Sequence, residues 1–221
     1  MNTNYSENNN LILIGKIVSE KNYSHEIYGE KFYIFNLEVQ RLSATTDIIP
    51  ITISERLISN FELTIGKQVE IEGQFRSYNN YENERNRLVL TVFAKEIKEV
   101  SEEEVAEKST NEVVLVGYIC KKPIYRQTPF GREIADILLA VNRAYNKSDY
   151  IPCIAWGRNA RFCENMEVGT EVRISGRVQS RNYEKKYEDG KVETRVAYEV
   201  SIASMEIVNH ENDEEMNEEV V

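Results

Sequence analysis

The sequence predicts an all-β protein made of two tandem copies of a small five-stranded barrel. The first observation is an internal repeat, in which residues 10–15 return as 112–117 at a shift of 102, and later pairs such as Gly66 and Gly169 keep a shift of 103. The second is the strict alternation of apolar and polar residues in 171–183, which is typical of a half-buried strand. A repeat of this length exceeds the roughly 20–50 residues of solenoid units and indicates a duplicated domain. The same register pairs Arg41 with Arg143, Asp47 with Asp149, Pro50 with Pro152, and Gly73 with Gly176.

The second copy shows the element order most clearly. Apolar and β-branched runs predict strands at 112–120, 134–141, 150–156, 171–183 and 194–208, with a short helix at 160–166. The first copy repeats this order with strands near 10–18, 31–41, 47–54, 67–78 and 86–99, and a helix near 56–63. Five strands with one helix between the third and fourth are the order of an OB-fold barrel. We expect the last strands of the two copies to align at a shift of 110.

The predicted domain boundaries follow from these elements. Residues 1–100 form a divergent N-terminal OB-fold and 112–208 a second OB-fold. Residues 101–111 are an acidic connection, either a flexible linker or a short helix, and 209–221 are an acidic disordered tail.

Charge is distributed unevenly along the chain. The net charge is −10, yet residues 113–208 hold 15 Lys and Arg against 12 Asp and Glu, while 209–221 hold six acids and no Lys or Arg. A basic body with an acidic appendage favours a nucleic-acid-binding protein, although a tail that only increases solubility stays an alternative. The chain has no apolar run long enough to span a membrane and no secretory signal at its start, so we expect a cytoplasmic protein.

The composition argues against cofactor and metal chemistry. Three cysteines without CxxC spacing and two histidines predict neither a metal site nor disulfides. No glycine-rich phosphate loop and no nucleophile with a plausible base is present, so we expect a protein that is not an enzyme and needs no cofactor.

Three arginines follow one face of the alternating strand of the second copy. Arg173, Arg177 and Arg181 are spaced by four residues and are followed by Tyr183. Guanidinium groups in such a row are suited to successive backbone phosphates. That they are ordinary surface arginines stays open at this point.

Aromatic residues of the second copy favour the functional interpretation. Within 150–156, Ile151, Cys153 and Ala155 share one parity and suit a barrel interior, so we expect Tyr150 and Trp156 to face outward. Together with Tyr145 and Tyr183 they would form a platform on which unpaired bases stack.

At these residues the second copy resembles bacterial single-stranded DNA-binding protein. The resemblance lies in 113–117, in 138–143, in 150–157, and in 168–169 followed by 176–183. It implies that Tyr145, Tyr150, Trp156 and Tyr183 stack on bases and that Arg143, Arg177 and Arg181 contact the backbone. It also implies a homodimer presenting four OB-folds, because the family usually assembles four.

The first copy and the tail depart from that family. At the positions equivalent to Tyr145, Tyr150 and Trp156 the first copy has Ser43, Ile48 and Ser54. Glu70 stands at the position equivalent to Arg173, so we expect a degraded DNA site in the first copy. A weaker contact near the hairpin is predicted from Tyr78 and Tyr81 together with Arg76, Arg85 and Arg87. The tail ends in Glu218-Glu219-Val220-Val221 without the family's terminal Pro and Phe, which weakens the expectation that it recruits replication or repair proteins.

Two other functions remain open on the sequence. One is a replication-restart or assembly adaptor whose OB-folds mainly bind proteins. The other is RNA binding, since stacking and phosphate contacts do not by themselves distinguish RNA from DNA. The favoured hypothesis is nonspecific single-stranded DNA binding in replication, recombination or repair, mainly through the second OB-fold.

Overall fold

The computed structural model describes residues 8–41, 43, 45–82, 85–187 and 190–208, with the side chains of 81–86 outside that description. The acidic tail 209–221 also lies outside it, so its predicted disorder is not addressed by the structure. Within this part of the chain, the architecture is the predicted pair of barrels.

The first barrel contains six strands and one short helix. In chain order these are β1 (Asn9–Ile17), β2 (Asn22–Ile27), β3 (Glu30–Gln40), β4 (Thr46–Ser54), α1 (Glu55–Ile58), β5 (Gln68–Glu82) and β6 (Arg85–Glu99). Helix α2 (Glu102–Glu107) follows in the acidic connection. Its N-terminus has a capping box, in which Ser101 and Glu104 satisfy each other's backbone N–H groups. This result decides between the two alternatives for 101–111 in favour of a short helix.

The second barrel repeats the same order. It consists of β7 (Asn111–Ile119), β8 (Ile124–Gln127), β9 (Glu133–Arg143), β10 (Lys147–Trp156), α3 (Arg158–Glu164), β11 (Glu171–Lys186) and β12 (Val192–Ile207). The short helix between the third and fourth barrel strands is confirmed in both copies.

Each barrel closes through five strands, as predicted. In the first barrel the order is β3-β4-β6-β5-β1 and β1 pairs with β3, and in the second it is β9-β10-β12-β11-β7 with β7 paired to β9. The short strands β2 and β8, which sequence patterning missed, are added outside the barrels against β3 and β9. A Cβ on Gly15 or Gly117 would meet the carbonyl oxygen of Glu38 or Ala140 across the closure, which explains why the repeat keeps both glycines.

The last strands of the copies align differently from the prediction. Opposite Gly73 lies Ala94, and opposite Gly176 lies Ile202, so the shift is 108 and not 110. Residues 96–97 resemble residues 206–207 in sequence, but they do not occupy equivalent positions. The backbone pairing sets the register, and both hairpins have a β-bulge directly before the glycine.

The two barrels share one continuous sheet. Strands β1 and β7 are antiparallel neighbours, with Leu11 opposite Val113 and Leu13 opposite Asn111. The buried apolar residues of both barrels belong to one core cluster, with for example Leu13, Phe35 and Phe75 in the first barrel and Leu115, Leu139 and Ile174 in the second.

A second contact between the barrels is polar and follows an approximate two-fold. The fully buried Asp47 of β4 accepts hydrogen bonds from the Ser180 backbone N (2.6 Å) and Oγ (2.9 Å) of β11. Asp149 of β10, the residue of the second copy equivalent to Asp47, accepts a hydrogen bond from the Ser77 backbone N of β5 (2.7 Å). Each long hairpin, β5–β6 and β11–β12, therefore donates hydrogen bonds to the other barrel.

Candidate nucleic-acid interface

The outer face of β10 carries the predicted aromatic platform. Ile151, Cys153 and Ala155 are buried in the barrel, as predicted, whereas Tyr150 and Trp156 remain 45% and 39% exposed. The strand period of two accounts for both results. In OB-folds this surface, made by the second and third barrel strands, is the one that binds oligonucleotides.

Tyr145 lies beyond the platform in the tight turn between β9 and β10. Its φ is 62° and that of Asn146 is 53°, so two consecutive residues adopt the left-handed conformation. Such a turn directs the Tyr145 side chain into solvent, where it is 92% exposed. The structure therefore places a third exposed ring on the same barrel, at the end of β10.

Trp156 borders a shallow depression of about 400 Å³ at the other end of β10. Arg158 and Phe162 of α3 line it, and the Phe162 ring is 48% exposed. The sequence pattern did not single out Phe162. The sequence predicted only a short helix at 160–166, and the exposed ring became apparent only from the orientation of α3.

The three arginines of β11 have different surroundings. Arg173 is beside Glu206 of β12 at 3.9 Å, and Arg181 is 3.3 Å from the buried Glu199. Arg177 is half-buried near Lys108 and Thr110 of the connection that contains α2. The three arginines are evenly spaced in sequence but do not form one uninterrupted basic row on the surface. Glu206 and Glu199 of the neighbouring strand β12 face Arg173 and Arg181.

Glu199 is the acid that sequence reasoning overlooked on this face. It lies directly opposite Gln179, whose side-chain amide donates to it at 2.8 Å, while Arg181 approaches from the side. A buried carboxylate held in this way fixes the direction of the Arg181 side chain, which stays 54% exposed. The guanidinium also lies 5.9 Å from the Tyr183 ring centroid, so the two residues form one basic and aromatic unit.

Arg143 forms an ion pair with Asp149, a residue of the contact between the barrels. Its Nε lies 3.1 Å from the carboxylate of Asp149, which is fully buried. Burial raises the pKa of Asp149, while the Ser77 N–H and Arg143 act against that rise. Its mate Arg41 forms a shorter pair with Asp47, at 2.6 Å. The repeated Arg and Asp positions of the sequence are therefore a structural device, and the phosphate role predicted for Arg143 stays a prediction.

In the first barrel the corresponding outer face is filled by its own side chains. The Arg76 guanidinium lies 3.9 Å from the Phe93 ring centroid, Phe93 contacts Phe32, and Phe32 stacks on His25. Burial lowers the pKa of Arg76 to about 10, with the neighbouring Arg143 charge as a second cause. This face offers Arg76 little freedom to meet a phosphate.

The two residues nearest the hairpin have a different environment. Tyr78 is 47% exposed and borders a groove between the barrels. Tyr81 lies in β5, and its side chain belongs to the part that the structure leaves undescribed. Ser54, which answers Trp156, accepts a hydrogen bond from Arg56 N as the N-cap of α1.

The groove has a volume of about 750 Å³ and lies between the hairpins β5–β6 and β11–β12. It brings the predicted residues Arg181 and Tyr183 of the second copy together with Tyr78 of the first. Arg87, which belongs to the predicted hairpin contact, also lines it, as do Arg195 and Tyr198, which were not predicted. Their pairing across the two copies becomes visible only at the correct shift of 108, which the sequence did not provide.

The structure also bears on other classes of site. Among the described residues, no cluster of three or more His, Cys, Asp or Glu side chains is suited to a metal ion. In the same part of the chain no helix is long and apolar enough to cross a membrane.

Comparison with known proteins agrees with this geometry. Residues 110–208 match the model of the single-strand binding protein family. Single-stranded DNA-binding protein 2 of Listeria innocua is 40% identical over 81 residues, which are 34% of this chain and 51% of that protein. The chain spans about half the length of the curated relatives it matches.

Solved structures show similarity over a longer stretch. The single-stranded DNA binding protein of Thermus aquaticus superimposes with a TM-score of 0.73 at 18% identity, covering 91% of this chain and 93% of that chain, and so shares the fold. The N-terminal domain of PriB from Thermoanaerobacter tencongensis is 52% identical, covers 43% of this chain and 100% of its own, and has a TM-score of 0.39. Residues 110–208 thus form a domain of the single-strand binding protein family, and the first barrel shares its fold.

Proposed function

We propose that this protein binds single-stranded DNA without sequence specificity, mainly through its second barrel, in replication, recombination or repair. The observation that carries the proposal is the outward platform of Tyr150 and Trp156 on the OB-fold face of a domain whose relatives are named for this activity. Exposed rings on a sheet bind any base through its face, which makes the binding tolerant of sequence.

Phosphate contacts complete the mechanism. Arg173, Arg177 and Arg181 follow β11, and Arg181 with Tyr183 borders the platform through Pro152 of β10. Because each neutralised phosphate releases counterions, affinity falls as salt increases, with a slope of about −0.7 per phosphate for single strands. Duplex DNA keeps its bases stacked and is expected to bind far more weakly.

Fluorescence of the single tryptophan tests the proposal directly. Titration of oligo-dT into the protein is expected to quench Trp156, and Tyr150→Ala is expected to weaken binding about tenfold, within the range of one lost stack. Tyr125→Phe is the matched control, since the Tyr125 hydroxyl donates to Glu133 away from the platform. Unchanged emission and unchanged mobility of the protein with oligo-dT at low salt would refute the proposal.

The proposal extends to assembly and location. We expect a cytoplasmic homodimer that presents four OB-folds, measured as twice the chain mass of 25.7 kDa in sedimentation. Recruitment of replication or repair proteins by the acidic tail is a further expectation, tested by deleting 209–221 and comparing partner binding.

The same titration addresses the other functions. Competition between oligo-dT and oligo-rU of equal length measures the preference for DNA over RNA. A wild-type protein that folds but binds neither oligomer would favour an adaptor that acts through protein contacts.

A further inference from the structure

The first barrel contacts the start of β10, where that strand carries Tyr150. Strand β9 pairs with β10 along its whole length, whereas within the described chain β12 pairs with it only at Cys153 and Ile154. Before those two residues, the Tyr150 backbone N donates to Ser77 Oγ of β5 at 2.7 Å. Ser77 therefore bonds a part of β10 that β12 does not reach.

Ser77 bonds two consecutive residues of β10. Its backbone N donates to Asp149 Oδ1, and its hydroxyl oxygen accepts from the Tyr150 backbone N, both at 2.7 Å. Ser77 is 6% exposed and Asp149 is fully buried, so water competes little for these bonds. Hydrogen bonds sheltered in this way hold a backbone segment in one position.

We propose that Ser77 is a positioning residue for the platform of the second barrel. By holding the Tyr150 backbone, the first barrel fixes the direction in which the Tyr150 ring meets a base. The inference rests on the proposed function and gives the first barrel a part in it that needs no contact between Ser77 and DNA. Because the ring is 45% exposed, the backbone at Tyr150 has a large part in fixing it before a base arrives, which reduces the ordering cost of binding.

The equivalent contact at the other barrel uses its hydroxyl differently. Ser180 occupies the position of Ser77, and its hydroxyl donates to Asp47 Oδ1 at 2.9 Å. The residue after Asp47 is Ile48, which stands where the second copy has Tyr150. The serine hydroxyl thus binds the strand backbone at the barrel that carries the ring, and the aspartate at the barrel that lacks it. This difference agrees with a role of Ser77 that concerns the ring, and it makes Ser180 a matched control.

A double-mutant cycle tests whether Ser77 acts through Tyr150. Ser77→Ala in the full chain keeps the backbone N–H and removes only the hydroxyl. We expect it to weaken oligo-dT binding about fivefold, less than the roughly tenfold loss expected when the ring itself is removed. In a Tyr150→Ala background, Ser77→Ala is expected to change affinity by less than about 1.5-fold, whereas in a Tyr183→Ala background the loss of about fivefold remains.

Hydrogen exchange of the Tyr150 amide, followed by NMR, measures the contact directly. Ser77→Ala is expected to accelerate this exchange at least about tenfold, because the amide loses its acceptor. Ser180→Ala removes the equivalent hydroxyl and should change neither the exchange of the Tyr150 amide nor the affinity for oligo-dT. Circular dichroism and urea midpoints establish that each variant is folded under the conditions of the binding assay.

Each outcome supports or overturns the inference. A loss of affinity that disappears in the Tyr150→Ala background, with faster exchange at the Tyr150 amide, supports it. Equal losses in the Tyr150→Ala and wild-type backgrounds, or an equal loss for Ser180→Ala, would overturn it in favour of a general weakening of the contact between the barrels. If the wild type binds oligo-dT and Ser77→Ala binds it equally well, the positioning role is overturned while the proposed function stands. A wild type that binds no oligo-dT would refute the proposed function and this inference together.

Discussion

The polar contact between the barrels depends on two buried aspartates that are equivalent in the repeat but differ in their partners. We expect Asp47→Ala to lower the free energy of unfolding markedly more than Asp149→Ala does. The comparison is informative because both substitutions remove the same group from mated positions of the same fold.

The larger effect follows from the hydrogen bonds of Asp47. Its carboxylate accepts from Arg41 Nε and Nη2 at 2.7 and 2.6 Å, and from Ser180 N and Oγ at 2.6 and 2.9 Å. Removing one partner of a buried ion pair costs about 3–5 kcal/mol. Because the Arg41 side chain is 25% exposed, water recovers part of that loss, and we expect about 3 kcal/mol for Asp47→Ala.

Asp149 has fewer and longer contacts. It accepts from Ser77 N at 2.7 Å and lies 3.1 Å from Arg143 Nε, and burial raises the pKa of its carboxyl. A carboxylate that burial already disfavours stabilises the fold less, so truncation is expected to cost about 1 kcal/mol.

Urea denaturation at pH 7 measures both changes, with circular dichroism reporting both barrels and Trp156 fluorescence reporting the second. Asp136→Ala, which breaks an exposed ion pair with Arg126, is the control and is expected to change stability by less than ~0.5 kcal/mol. Equal losses for the two aspartates, or a loss below ~1 kcal/mol for Asp47→Ala, would contradict this account of the interface.

Three further predictions concern other parts of the fold. Relative to Asp149→Asn, the wild type should gain stability as pH falls from the raised folded pKa of Asp149 toward its ordinary 3.8, measured by urea midpoints. Glu70→Gln removes the carboxylate charge that pairs with Lys98 and Lys108, so cleavage by a Glu-specific protease within 102–107 should accelerate about fivefold, whereas Glu72→Gln should leave it unchanged. Gly176→Ala should lower the free energy of unfolding by about 1–3 kcal/mol in thermal denaturation, because the new Cβ meets the Ser201 carbonyl oxygen.

Sequence patterning predicted the barrels because strand alternation and the repeat report on local structure and on burial. It also predicted the inward set at Ile151, Cys153 and Ala155 and the exposure of Tyr150 and Trp156. The short strands β2 and β8 escaped it, since they lie outside the barrels with mostly exposed residues and lack an apolar alternation.

Sequence patterning could not predict which side chains surround the arginines, and the reason is a different one. Arg181 and Arg173 meet Glu199 and Glu206 across a strand pair, and a cross-strand neighbour is set by register, which depends on hairpin length and bulges. Likewise, the phosphate role of Arg143 was predicted from the family resemblance, which gave no indication of its pairing with Asp149. Charge along one strand is therefore an incomplete measure of charge on a sheet.

The differences between the copies can be explained as two separate changes in the first barrel. On its outer face, Phe93 occupies the position of Ser201 and packs between Phe32 and Arg76, which closes the surface that remains open beside Trp156 in the second copy. On the shared sheet, Glu70 stands at the position equivalent to Arg173 and forms an ion pair with Lys108. This ion pair attaches the connection between the barrels to β5.

Both changes lie away from the tip of the β5–β6 hairpin, near which the first barrel has a ring and a guanidinium at the groove. Tyr78 stands where the second copy has Arg181, and Arg87 stands where it has Arg195. At this groove the two copies differ at one equivalent pair, Tyr78 and Arg181, and agree at the other, Arg87 and Arg195, so the repeat is kept there only in part.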